Sequence, residues 1–147
     1  MDRGAGGARR PGSVVGVGID LADIERLRSA LDRQSGLRTR LFTEVEWSEA
    51  NQHRDPVSHL AGCFAAKESV MKALGQGMSS MGFDEIQVAT VDRDRPGVEL
   101  TGRAARVAAE QGVGGWLLSM SLTDSMAQAV AIAVSGGPPV PDATLVE

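Results

Sequence analysis

Tyrosine is absent from this 147-residue chain, and three phenylalanines and two tryptophans are its only other large aromatic side chains. A core must therefore be assembled from Leu, Val, Ile, Met and Ala. There is a single cysteine, Cys63, which excludes an internal disulfide and fits a reducing cytoplasm. No run approaches the roughly 18 apolar residues that a membrane span requires. The opening stretch Met1–Arg10 lacks the apolar centre of a secretory signal, so a cytoplasmic location with no membrane partner is expected. Positive charge is not in excess, since the formal net charge is -4, which argues against a dedicated nucleic-acid binder. Only two histidines occur, His53 and His59; their spacing is not that of metal ligands, and both are expected at the surface. Gly16-Val17-Gly18 lacks the third glycine of a dinucleotide-binding fingerprint.

What is present is ordinary for one globular domain with one core, 42% hydrophobic and 23% charged. Three segments are expected: a disordered, Gly- and Arg-rich 1–13, a single domain over 14–135, and a flexible, proline-bearing tail over 136–147. Within the domain, Ser13 to Asp20 has the length and Val/Ile content of a strand that ends in a carboxylate. Leu21, Ile24, Leu27 and Leu31 then give a helical stripe over Leu21 to Gln34, with Arg26, Arg28 and Arg33 off that stripe. On this reading Asp20 is available to cap that helix. Thr43 and Glu46 form a capping-box pattern for a short helix through Trp47. Past residue 77 the period changes to alternation. Ile86, Val88 and Thr90 predict a strand, 92–97 a turn, and Val98 with Leu100 the return strand of a hairpin. A short helix follows over Arg103 to Gln111, and Trp116 to Thr123 and Ala127 to Val134 read as two strands joined at Asp124-Ser125. Strands that pair as hairpins, with helices between them, indicate an α+β fold.

The chain is organised around a helix that starts at Asp55-Pro56, a cap followed by a first-turn proline, and ends before Gly75 and Gly77. Leu60, Phe64, Met71 and Leu74 fall on one face, and Ala61, Ala65, Glu68 and Lys72 on the face beside it. The small alanines are expected to leave room for something bulky beside Glu68. On spacing alone, Glu68 and Lys72 are also what a surface helix pair looks like.

A wider pattern decides between those readings. Gly18-Ile19-Asp20 with Arg26, Phe42-Thr43 with Glu46, Phe64-Ala65-Ala66-Lys67-Glu68, Lys72-Ala73-Leu74-Gly75-Gln76-Gly77 and Ala127-x-Ala129-Val130 together resemble the holo-[acyl-carrier-protein] synthase group of 4'-phosphopantetheinyl transferases, from about Val14 to Val134. The resemblance implies a small antiparallel sheet packed with a long central helix, in a homotrimer. It implies a Mg²⁺-dependent transfer of the phosphopantetheine arm of coenzyme A to a serine of an acyl carrier protein, in fatty acid or polyketide biosynthesis. On that basis Asp20 and Glu68 are the metal ligands, a choice that suits the oxygen preference of Mg²⁺. Glu68 and Lys72 are the candidate catalytic residues, with Glu68 or a water beside it as base. Lys67, Lys72 and Gly75 are candidate CoA contacts. Arg26, Arg28 and Arg33 are candidate carrier-docking residues, a basic strip on an acidic protein.

Two positions depart from the resemblance. Cys63 stands where the group usually has arginine, a candidate CoA-phosphate contact, and Leu122 in Ser119-Met120-Ser121-Leu122-Thr123 stands where it usually has histidine. Leucine neither donates a hydrogen bond nor moves a proton. Two alternatives therefore stay open: the scaffold recruited to other chemistry on a carrier- or CoA-bound acyl chain, for example as a cyclase, or a non-catalytic module that binds carrier or CoA.

Overall fold

The computed structural model describes residues 12–77, 80–92 and 95–136. The elements run β1 (Val14–Asp23), α1 (Ile24–Arg33), α2 (Leu37–Leu41), α3 (Glu44–Ala50), α4 (Pro56–Ala73), a 3₁₀ turn (Phe83–Glu85), β2 (Ile86–Asp92), β3 (Arg95–Leu100), α5 (Gly102–Glu110), β4 (Val113–Leu122) and β5 (Met126–Ser135). The antiparallel strands form a sheet of order β1-β5-β4 and a separate β2-β3 hairpin, the α+β architecture expected. Most of the segments expected to be loose lie outside the described residues. Gly12 and Ser13 are tied to the sheet end, donating to Ser135 O at 3.2 Å and to Ser135 Oγ at 2.9 Å.

β5 is the central strand, and Ala127, Ala129, Ala131 and Ala133 form its inward face, each at most 1% exposed. Their neighbours across the ladder are Ala22, Asp20, Gly18 and Gly16 on β1 and Leu122, Met120, Leu118 and Trp116 on β4. Side chains this small let α4 lie directly on the sheet. An added Cβ at Gly16 would fall 1.9 Å from Ala73 O, and one at Gly18 would fall 1.8 Å from Ser69 O. These two glycines are thus a helix-packing device rather than part of a nucleotide loop. Ser69 reinforces the contact, its hydroxyl lying 2.7 Å from Ala65 O and 3.0 Å from Ala129 O.

α4 keeps the expected ends. Asp55 accepts from Val57 N at 3.2 Å and Pro56 opens the helix. At the other end, Gly75 takes φ +66° while Gly75 N and Gln76 N donate to Lys72 O and Met71 O, a Schellman closure. Ala61 and Ala65 do not leave open space as expected; both are fully buried, because α4 packs on most of its circumference.

Other boundaries moved for identifiable reasons. β1 continues to Asp23 because Leu21, Ala22 and Asp23 still pair with Gln128, Ala127 and Met126. Leu21 is therefore a strand residue, 60% exposed on the sheet's open side, and α1 is capped by Asp23, which accepts from Arg26 N at 3.0 Å. Asp20, not needed as a cap, is left free for the site. The Thr43–Glu46 capping box is present in both directions. The turn expected over 92–97 is much tighter, since pairing runs on to Asp92 and Arg95. The five-residue α2 and the 3₁₀ turn carry too little periodic signal to be read in sequence.

Candidate active site

Asp20 and Glu68 arrive from different elements. Asp20 projects from the helix-facing side of β1, in register with Ala129, and Gly18, two residues earlier on that face, lets α4 come close enough to present Glu68 and Lys72 to it. Lys72 Nζ donates to Asp20 Oδ1 at 2.9 Å and to Ile19 O at 3.0 Å. Asp20 Oδ2 is buried and has no hydrogen-bond partner. The carboxyl of Glu68 faces Asp20, and burial, with the neighbouring carboxyl adding to it, pushes the Glu68 pKa up to about 7 despite the opposing charge of Lys72.

Two close carboxyls, one with an unpartnered buried oxygen, suit a hard divalent cation better than an isolated protein cage. Among the described residues, no group of three or more His, Cys, Asp or Glu side chains is placed to hold a metal. Mg²⁺ fits a two-carboxylate donor set of this kind, because it retains several waters and takes further oxygens from substrate phosphates.

A cleft of about 1040 Å³ lies further along the same two elements, and Asp20, Glu68 and Lys72 are not among the residues that line it. Ala22 and Phe64, the next inward position on β1 after Asp20 and the preceding turn of α4 before Glu68, both line it. Leu41 and Phe83 form further walls, and Arg26 and Arg40 supply positive charge. Arg40, Leu41 and Phe83 were missed in sequence, because they belong to the two short elements that periodicity does not reveal.

The remaining expected residues divide. Arg26 and Arg33 are exposed on α1. Arg28 is not free, since its guanidinium grips Asp55 at 2.8 and 3.3 Å and Glu25 at 3.1 Å, which raises its pKa and ties α1 to the start of α4. Lys67 is fully buried, with Nζ donating to Leu41 O at 2.6 Å and Phe83 O at 3.0 Å and paired with Glu46. All three of its donors are taken, so it is not available to a CoA phosphate, and that expectation is corrected. Cys63 is also fully buried, its thiol pushed up to about 12 mainly by burial; it is a core residue and not part of a cleft surface. Leu122 is 51% exposed at the end of β4. It lies beside Gly62, where an added Cβ would sit 3.8 Å from Leu122 Cδ2 and 3.6 Å from Met120 Sδ. It is two strands from β1, about 10 Å across the sheet, so one chain does not bring it to Asp20. Gly75 closes α4, with open space where a Cβ would be. His53 and His59 stack with centroids 4.3 Å apart; His59 is half-buried rather than a plain surface residue.

The small α+β domain thus sets a Lys-flanked carboxyl pair between its central helix and a glycine-bearing strand. The model of the 4'-phosphopantetheinyl transferase superfamily matches residues 16–133, and the chain belongs to this family. It is 43% identical over 121 residues to a holo-[acyl-carrier-protein] synthase of Streptomyces avermitilis, covering 82% of this chain and 98% of that one. It is 39% identical over 120 residues to that of Caldanaerobacter subterraneus, covering 82% and 94%. Among solved structures, the holo-(acyl-carrier-protein) synthase from Bacillus anthracis in complex with CoA (3',5'-ADP) superposes with a TM-score of 0.69 at 28% identity, covering 84% of this chain and 98% of that one.

Proposed function

We propose that this protein transfers the 4'-phosphopantetheine arm of coenzyme A to a serine hydroxyl of an acyl carrier protein, releasing 3',5'-ADP. The observation that carries the reading is the Asp20–Glu68 carboxyl pair with Lys72 beside it, one step along β1 and α4 from residues that line a cleft large enough for part of a CoA molecule. In the reaction the serine oxygen forms a bond to the β-phosphorus of CoA, and the bond from that phosphorus to the 3',5'-ADP oxygen breaks. Asp20 and Glu68 would hold Mg²⁺, which when bound supplies positive charge to the pyrophosphate as negative charge develops there. Glu68, or a water beside it, accepts the serine proton. Lys72, exposed beside Asp20, offers its ammonium to the phosphates. Gly75, at the end of the same helix, leaves backbone accessible to the nucleotide portion.

The carrier docks on α1, where Arg26 and Arg33 are exposed, with Arg40 added from α2. The working unit is a homotrimer. Val17, Ile19 and Leu21 stand 59%, 52% and 60% exposed along the open face of the sheet, and Leu117 of β4 lies on the far side of Ile132 from Val17, an apolar surface unusual for a free domain. The separation of Leu122 from Asp20 within one chain also suits a site completed by a neighbouring copy. Mg²⁺ dependence, trimeric assembly and work in the cytoplasm are parts of the same proposal.

Mass spectrometry of an apo carrier protein incubated with this protein, CoA and Mg²⁺ tests the reading. A mass gain of one phosphopantetheine arm is expected, and its loss in EDTA. No gain on any apo carrier that a homologous synthase modifies would overturn it.

A further inference from the structure

We propose that Lys67 is a positioning residue for the CoA cleft: with Glu46 as its buried counter-ion, it ties Leu41 and Phe83, two separate walls of the cleft, to the helix that carries Glu68. The inference rests on the transferase reading and assigns to it a residue that does not touch the substrate.

The ammonium of Lys67 is completely enclosed and makes three contacts, to Leu41 O, Phe83 O and Glu46 Oε1. Leu41 ends α2, where a helix leaves its last carbonyls without partners, and Phe83 begins a 3₁₀ turn, its carbonyl shared between Ile86 N and Lys67 Nζ. A five-residue helix has no stability of its own, so its location depends on what grips it. Glu46 extends the knot. Its Oε1 accepts from Thr43 N and its Oε2 from Val88 N, both at 2.8 Å, which joins the start of α3 and strand β2 to the same centre. The Phe83 ring stacks on Phe64 of α4, 5.4 Å away, so this wall is held at both its backbone and its side chain.

An apolar pair of equal volume would fill the same space without the desolvation cost of two buried ions. It would leave the Leu41 carbonyl without this donor and the Phe83 carbonyl held by Ile86 N alone, so the two walls would no longer be tied to each other. What the ion pair supplies is three directed donors on the residue next to Glu68. The walls that enclose CoA are thereby referenced to the same turn of α4 as the metal pair. Glu68 and the cleft are then one rigid unit, which is what placing a phosphate against a carboxylate pair requires.

The test is the double variant Lys67→Met/Glu46→Gln, which removes both charges and orphans neither ion. In the folded variant, the Kd for CoA measured by calorimetry and the KM for CoA are expected to rise together by about 10-fold, with kcat within about 3-fold of wild type. A variant that melts at a lower temperature but binds CoA as tightly as wild type would show a purely structural knot and overturn the proposal. If wild type itself binds no CoA, the transferase reading fails instead, a different result. Should the double variant not fold, hydrogen exchange on the ligand-free wild type decides. Residues 37–41 and 81–85 are expected to be protected as strongly as the core of α4, and rapid exchange there overturns the clamp.

Discussion

A Cβ placed on Gly18 would lie 1.8 Å from the carbonyl oxygen of Ser69, so strand β1 and helix α4 touch backbone to backbone two residues before Asp20 and one after Glu68. The geometry of the carboxyl pair is set by that contact. Gly18→Ala must push α4 off the sheet, since the obstacle is main chain and cannot rotate away. It is expected to cost about 3 kcal/mol or more, at the upper end of overpacking. Any folded fraction should transfer about 10²-fold more slowly, because the pair is displaced by an ångström or so. Denaturant melts and rate measurements on the same sample check both, and a fully active variant of unchanged stability would refute the packing argument.

The pair also links pH to stability. Glu68 titrates near 7 in the fold against an ordinary 4.5. Its folded pKa is raised, so its contribution to stability is complete below about pH 4.5 and is lost as pH rises through 7. In EDTA, the melting temperature is expected to fall through this window. Mg²⁺ should restore it above pH 7 and do little at pH 5, where protons compete for the same oxygens. Glu68→Gln should abolish both the slope attributable to this group and the Mg²⁺ response, together with transfer. Scanning calorimetry across pH, with and without Mg²⁺, reads all of these, and an unchanged Mg²⁺ response in Glu68→Gln would remove it from the metal site.

Leu122→His discriminates between transfer and recruited apolar chemistry. The position is half-exposed, so an imidazole there stays solvated and costs little stability. For a transferase it adds a donor and proton carrier, and the rate on an apo carrier is expected to rise by up to about 10²-fold. If the leucine instead lines an apolar substrate site, the substitution damages the native activity and creates no transfer. The two outcomes have opposite signs in one assay.

The open sheet face is tested by charge. Ile19→Glu replaces a 52% exposed residue next to Asp20 that points away from α4, so the monomer should remain folded. Light scattering is expected to show a trimer for wild type and a smaller species for the variant, with transfer reduced at least tenfold. A wild-type monomer with full activity would rule out the shared site.

How much of this was legible beforehand depended on the range of the interactions. The capping box at Thr43 and Glu46, the Asp55-Pro56 start and Gly75 stop of α4, and the two hairpins are governed by contacts a few residues apart, so they were readable along the chain. The Phe64-Ala65-Ala66-Lys67-Glu68 block and Asp20 marked the family and the carboxyl pair, because those residue types in that order are specific. Lys67 and Glu68 stand side by side in that block, yet one is sealed in the interior and the other faces Asp20. A helix turns about 100° per residue, and which side meets the core was decided only when Leu41, Phe83 and Glu46 arrived from other parts of the chain. The same holds for Arg28, claimed by Asp55, and for Cys63, enclosed rather than presented to a ligand. Sequence determined which chemistry was available and on which elements. Tertiary packing decided which charges remained free to perform it, because a charge is neutralised by whatever lies nearest in space, and that neighbour is often 26 or more residues away along the chain.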